Sequence, residues 1–366
     1  MPNEIRPELS YQQLYPLVLH CLRRKKSVLL LGSPGNGKSS MAGALASELG
    51  LPLIDLRVSM RDPGELAGIQ MPNAQTKCIE LYPPDWLRNI CDQPGLLLLD
   101  EINAGTQRLT LSICYQIMLD RKLGPFTFHP DTVILATGNL PEDRSIVVDL
   151  PDALTDRCAK FILRTDVQDW LQWASEQTPP LALDICGYLA WKGNDALYKR
   201  YDDVIASPRS WTAAAQTVLE GHDPHSTAST RKPLTRTQRT QLIGSFVGML
   251  AAREVETFSK VFQSVDVAGL LKDGTLPTFD GRDPGLVYAF VYALVDYLKH
   301  QRKSLTDQNI EHLSRLFQLD TFKKEYQVLF LLQLQKLLPR LFTRLIESPA
   351  FAPHRLDITE RLCPVA

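Results

Sequence analysis

Over its first 165 residues the chain alternates between short apolar runs and longer stretches whose apolar positions recur three and four apart. Val28–Leu31, Leu96–Leu99 and Thr132–Ala136 have the length and bounding turn signals of strands buried on both faces. Leu51–Val58, preceded by Gly50 and only partly alternating, reads as a further strand, and "ALTDRCAKFIL" ends in a last one. Between them the three-and-four spacing predicts helices over Leu9–Leu22, Ser40–Leu49, Asp85–Cys91 and Thr106–Leu119. Met60–Gln75, punctuated by Pro63, Gly64, Gly68 and Pro72, reads as a loop. The stretch before Thr132 supplies a short hairpin arm. Apolar strands separated by helices predict an α/β fold with a parallel sheet covered on both faces.

After Thr165 the strand pattern stops. Helices are predicted over Asp166–Glu176, Leu181–Trp191, Ser210–Leu219, Arg236–Phe262, Leu286–Lys299, Thr306–Gln318 and Lys324–Glu347. Gly221–Pro233 is a polar, flexible connection and Ser264–Gly285 is irregular. There is no internal repeat and no low-complexity tract.

Composition narrows the partners. A chain of 366 residues is comfortable for two domains. With 40 basic and 41 acidic side chains its formal charge is −1, which gives no electrostatic case for a dedicated nucleic-acid or anionic-membrane binder. The basic run Arg23–Lys26 fits a solvated face. Seven scattered cysteines form no C-x-x-C pair, so they read as reduced thiols of a cytoplasmic protein. The first residues lack the apolar core of a signal peptide, and no 18-residue apolar stretch could span a bilayer.

Chemistry enters with "LLLGSPGNGKSS", in which Gly32, Gly37, Lys38 and Ser39 follow the pattern G-x-x-x-x-G-K-S between a buried strand and a helix. Such a turn lets successive amides face a phosphate chain at a helix N-terminus. Gly32, Pro34, Gly35, Asn36, Gly37, Lys38, Ser39 and Ser40 are therefore the candidate phosphate-binding residues. Lys38 is suited to the terminal phosphates and the Ser39 hydroxyl to Mg²⁺. The all-leucine strand then delivers Asp100 and Glu101 at its C-terminal edge, expected beside the phosphate loop. Asp100 suits the Mg²⁺ shell, and Glu101 suits the activation of an attacking water. A hydrolase needs both carboxylates.

Asn139, where "VILATGN" leaves the sheet, is a candidate for bonding both that water and the γ-phosphate, or an ordinary turn residue beside Gly138. Arg157 precedes the last strand at a subunit edge. It could stabilise charge on a neighbouring subunit's γ-phosphate, or simply favour a helix C-terminus. Arg209 starts a helix fixed by Pro208, which would direct its guanidinium toward the phosphates of its own subunit.

Together "GSPGNGKS", "LLLLDEIN", "LATGN", "LPDALTDR" and "ASPRSW" resemble the MoxR-type branch of the AAA+ ATPases, near the dynein-related and magnesium-chelatase ATPases. The resemblance covers roughly residues 26–218. It implies ATP and Mg²⁺ as ligands, held by Lys38, Ser39 and Asp100. It also implies Glu101 as the water-activating acid, Asn139 as the first sensor, Arg157 as the trans-acting finger and Arg209 as the lid sensor. The organisation then reads as a nucleotide-binding domain over 1–165, the start of a helical lid over 166–222, and a helical region over 223–366. That last region would partly complete the lid and offer a docking surface. The resemblance further implies a ring, usually hexameric, a chaperone-like role on a protein client or adaptor, and a partner with a von Willebrand factor A domain. Two alternatives stay open: a nucleic-acid-directed motor subunit, since a ring can build a basic pore from few residues, and a nucleotide-dependent scaffold.

Overall fold

The computed structural model of the chain describes residues 8–75, 77–104, 108–141, 157–177, 181–201, 204–219, 234–279, 284–300 and 305–354. The chain divides into two compact units, Met1–Asp166 and Val167–Ala366. The described strands of the first unit are, in chain order, β1 (Glu8–Leu9), β2 (Val28–Gly32), β3 (Leu53–Arg57), β4 (Ile69–Asn73), β5 (Cys78–Tyr82), β6 (Leu96–Asp100), β7 (Lys122–Leu123), β8 (Phe126–Thr127), β9 (Val133–Gly138) and β10 (Ala159–Leu163). Six of them form one sheet in the order β1-β10-β2-β9-β6-β3, with every pairing parallel.

The leucine runs explain why β2, β6 and β9 are central. Every residue of the three is buried, so both faces must be covered, which crossover helices do. Alternation sorts the side chains. Leu29, Leu31, Leu97, Leu99, Ile134 and Ala136 share one core with Leu111, Cys114 and Ile117 of the Arg108–Asp120 helix. Val28, Leu30, Leu96, Leu98, Val133 and Leu135 share the other with the Tyr11–Arg23 and Lys38–Leu49 helices. Fully burying a side chain of this kind contributes about 1.5–3 kcal/mol.

Asp100 reaches the phosphate loop as expected, with Ser39 bonded to it, although β9 intervenes between β6 and β2. Sequence order does not specify strand order, and three buried runs of similar composition give no means of ranking them. One expectation is corrected here, that of a loop over Met60–Gln75. It holds a short helix, Pro63–Ala67, closed by a reciprocal cap between Asp62 and Glu65, and β4, which pairs antiparallel with β5. Both strands of this ribbon are mostly exposed. It therefore lacks the apolar alternation that would reveal it, and Pro72 is tolerated on so exposed a strand.

Among the described residues, the regular structure of the second unit is helical apart from a two-residue pairing of Lys199–Arg200 with Ile205–Ala206. One continuous core runs from Val167 to Phe351, so the segments on either side of residue 222 share a single interior. Its largest buried members are aromatic: Trp211, Tyr188, Tyr292, Phe290, Phe322, Phe330 and Phe351. The long helix expected over Arg236–Phe262 is two, Arg236–Val247 and Met249–Ser264. They are separated at Gly248, whose φ of +91° no helix admits and glycine adopts readily. Likewise Pro339 splits Lys324–Leu337 from Pro339–Glu347. The irregular stretch contains a helix, Val267–Asp273. Among the described residues no helix is long and apolar enough to cross a membrane. "LPDALTD" before Arg157 and the polar segment Gly221–Pro233 lie outside the described residues.

Candidate active site

The sheet register brings the C-terminal ends of β2, β9 and β6 to one edge: Leu31 stands opposite Gly138, and Leu99 opposite Ala136. At that edge the Gly-rich turn leads into the Lys38–Leu49 helix through Gly37 at φ +95°. A helix N-terminus leaves the amides of its first turn outside the intrahelical ladder, the arrangement that favours anions. Gly32 must remain bare for a different reason. A Cβ there would lie 2.5 Å from the Asn36 side-chain nitrogen and 2.8 Å from the Leu163 carbonyl oxygen.

Lys38 is buried, and its ammonium donates to the carbonyl oxygens of Gly32 at 2.6 Å and Ser33 at 2.9 Å. It also reaches Asn36 Oδ1 at 3.4 Å and Asn139 Oδ1 at 3.5 Å. The loop thus holds a cation where a phosphate chain would sit. Asn36 also donates to the Leu163 carbonyl at 3.1 Å, tying the loop to the end of β10. Pro34 and Gly35 are half-buried in the turn, and Ser40 is exposed on the helix.

Strand alternation explains the next contact. Asp100 follows Leu96 and Leu98 on the face covered by the Lys38–Leu49 helix, so its carboxylate meets the first turn of that helix. The Ser39 hydroxyl donates to it at 3.0 and 3.2 Å. Thr137, on the same face of β9, also donates to Asp100. A hydroxyl and a carboxylate so placed are hard-oxygen ligands that fit Mg²⁺, which keeps most of its waters and needs few protein ligands. Among the described residues no group of three or more His, Cys, Asp or Glu forms a metal cage, and Mg²⁺ bound beside a nucleotide does not require one.

Glu101 leaves the strand with φ +57°, a left-handed conformation costing a side-chain-bearing residue about 1–2 kcal/mol. Three contacts sustain it. Its N–H donates to Thr137 Oγ1 at 3.2 Å, the Ile102 N–H donates to the Thr137 carbonyl at 2.9 Å, and the Ala104 N–H donates to the Glu101 carbonyl at 3.1 Å. The Glu101 carboxylate accepts from the Ser59 hydroxyl at 2.7 Å. On β3, burial, and next the negative charge of Asp100, hold the Asp55 carboxyl above the usual carboxylate range.

The structure therefore brings together Lys38, Ser39, Asp100, Glu101 and Asn139. Arg157 is exposed in the first unit, two residues before β10, and Arg209 is exposed at the start of the Pro208–Thr217 helix in the second. Sequence reasoning missed Ser59, Asn103 and Thr137. Thr137 could have been found from alternation, because it shares the face of Val133 and Leu135 one register step from Asp100. Ser59 carries no such signal.

Residues 28–165 match the sequence model of the family described as AAA: ATPase family associated with various cellular activities. The fold is of the P-loop, AAA+-like kind, a parallel sheet flanked by helices with a helical C-terminal region. This match supports ATP-hydrolysing activity. An ATP-dependent zinc metalloprotease FtsH 4 of Sphaerobacter thermophilus is 26% identical over 164 residues, covering 37% of this chain and 23% of its own length. The chain thus spans about a quarter of that curated relative. Among solved structures, a Thermotoga maritima RuvB mutant is 13% identical with a TM-score of 0.38, over 85% of this chain and 92% of its own. NtrX from Brucella abortus is 14% identical with a TM-score of 0.38, over 72% and 63%.

Proposed function

We propose that the chain is a ring-forming ATPase of MoxR type that hydrolyses ATP to ADP and phosphate and uses the cycle to remodel or activate a protein partner. The observation that supports it most is the meeting of Ser39 with Asp100, with Glu101 as the next residue at the same sheet edge. Lys38 and the turn amides bind the phosphates. Glu101 takes a proton from the attacking water as the new oxygen–phosphorus bond forms at the γ-phosphate and the bond to the bridging oxygen breaks. Asn139 steadies the water and the γ-phosphate. Ser39 and Asp100 would hold Mg²⁺, which when bound would supply positive charge to the phosphate oxygens.

Arg157, exposed on the first unit, fits a finger for a neighbour's γ-phosphate in a hexameric ring, and Arg209 fits a lid sensor. The β4–β5 ribbon exposes Ile69, Met71, Ile79 and Tyr82, a surface suited to a client or to a partner with a von Willebrand factor A domain. Glu101→Gln is expected to retain ATP while turnover falls by about 10²–10⁴, read by steady-state hydrolysis and labelled-nucleotide binding. Near-normal turnover would remove Glu101 from its role. Affinity capture on that variant with ATP, followed by mass spectrometry, identifies the client. Mixing Arg157→Ala with Lys38→Ala subunits is expected to recover part of the activity each lacks alone. Full activity of a monomer at every protein concentration excludes the ring.

A further inference from the structure

The strand β9 ends at Gly138, so the backbone N–H and C=O of Asn139 have no strand to pair with. The buried Asn103 side chain supplies both partners: its Oδ1 accepts from the Asn139 N–H at 2.9 Å, and its Nδ2 donates to the Asn139 carbonyl at 3.0 Å. A carboxamide presents one acceptor and one donor side by side, so here it does the work of a neighbouring strand for one residue. The fit is close. A Cβ on Gly138 would lie 2.7 Å from Asn103 Oδ1.

Asn103 sits two residues after Glu101, in the turn already tied to Thr137 by the Glu101 and Ile102 amides. Beyond Asn139 the chain of contacts continues, since its side-chain oxygen accepts from the Lys38 ammonium at 3.5 Å. The Glu101 turn and the phosphate-loop lysine are thereby joined through two asparagines. The N–H and C=O of Asn139 lie on successive peptide planes joined through its own φ and ψ, so holding both atoms fixes those two dihedrals.

We propose that Asn103 is a positioning residue for ATP hydrolysis, fixing the backbone of Asn139 so that its side chain is aimed at the phosphates and locked to the turn that carries Glu101. This rests on the reading of Glu101 and Asn139 as catalytic groups. Both polar atoms of the Asn103 side chain are engaged by the Asn139 backbone, so its loss acts on turnover and spares ATP affinity.

The test measures kcat and ATP dissociation constant for the full chain, Asn103→Ala, Asn139→Ala and the double variant. Asn103→Ala leaves two half-buried backbone groups unmatched, so kcat is expected to fall about tenfold or more, with ATP affinity held within about threefold. In the Asn139→Ala background, Asn103→Ala is expected to cost nothing further, since the side chain it aims is gone. Gly138→Ala, which pushes the Asn103 side chain away, is expected to reproduce the Asn103→Ala loss. Where Asn103→Ala does not fold, Asn103→Asp is the substitute. It is isosteric, keeps the bond from the Asn139 N–H and loses the donor to the carbonyl, and the same split between kcat and affinity is expected. Unchanged kcat in these variants, or an equal loss with and without the Asn139 side chain, overturns the inference alone. An unsubstituted chain that hydrolyses no ATP instead overturns the catalytic reading beneath it.

Discussion

The α/β unit gathers five of its buried polar side chains at one place. Asn36, Lys38, Asp100, Asn103 and Thr137 all lie at the C-terminal edge of three adjacent strands. The helical unit spreads its buried and half-buried polar groups, and several tie one element to another. Asp184 accepts from Arg239 at 2.6 Å and also from Ser259, Tyr188 donates to Glu254 at 2.8 Å, and the buried His312 lies 2.9 Å from the Leu271 carbonyl. The difference follows from the architecture. A parallel sheet pairs its backbone internally and stops all its strands at one edge, where side chains are free to converge on a ligand. Packed helices have no common edge, so a buried polar group must find a partner on a neighbouring helix. Polar burial therefore converges on the candidate site at the sheet edge, whereas in the second unit it fastens helices together.

Lys38→Ala presses this contrast hardest. Its ammonium is the charged group of the loop, and hydrogen bonds to charged groups contribute about 1.5–3 kcal/mol each. ATP affinity is expected to fall about a hundredfold or more. The unfolding midpoint is expected to change little, because the surrounding sheet core is apolar. Labelled-nucleotide binding beside a denaturant curve reads both, and a large stability loss with intact binding would reverse the assignment of roles.

Phe290→Ala is the counterpart in the helical unit. Phe290 is fully buried, with its ring 5.1 Å from that of Phe279 in an edge-to-face contact. Truncation is expected to cost about 3–5 kcal/mol of stability. A loss below about 1 kcal/mol would mean that this interior collapses around the gap, unlike a close-packed core. Gly248→Ala is a smaller test of the same unit. A side chain at φ +91° is expected to cost about 1–2 kcal/mol, with the unfolding midpoint as the readout.

Much of this contrast was legible in the sequence, and what was not has definable causes. The leucine runs marked β2, β6 and β9 because only doubly buried strands are apolar throughout. The fixed spacing from Gly32 to Ser39 marked the loop. The order of the strands was not legible, since it depends on crossovers that leave no local trace. Nor was the role of Asn103: an asparagine two residues after the carboxylates looks like any turn residue until β9 ends beside it. The single helix expected over Arg236–Phe262 failed at Gly248 because one glycine within a helical pattern is tolerated as often as it breaks the helix.

The smallest expected effects come from two reciprocal helix caps, one in each unit, and they sharpen the comparison because the local chemistry is matched. In the helical unit, Thr235 Oγ1 accepts from the Gln238 N–H at 3.3 Å while Gln238 Oε1 accepts from the Thr235 N–H at 2.9 Å. In the α/β unit, Asp62 Oδ1 accepts from the Glu65 N–H at 2.8 Å and Glu65 Oε2 accepts from the Asp62 N–H at 3.3 Å. Removing either cap is worth about 1 kcal/mol to its own helix. The Arg236–Val247 helix buries Ile243, Gly244 and Val247 in the common interior, so Thr235→Ala is expected to lower global stability by most of that amount. The Pro63–Ala67 helix is five residues long, buries only Leu66, and leads directly into the exposed β4–β5 ribbon. Asp62→Ala is therefore expected to leave the global unfolding free energy nearly unchanged while speeding amide exchange across residues 63–82 by about fivefold, the mark of local opening. Native-state hydrogen exchange on both variants decides the matter. A global loss from Asp62→Ala equal to that from Thr235→Ala would show that the ribbon is part of the cooperative core of the α/β unit rather than a separately opening arm.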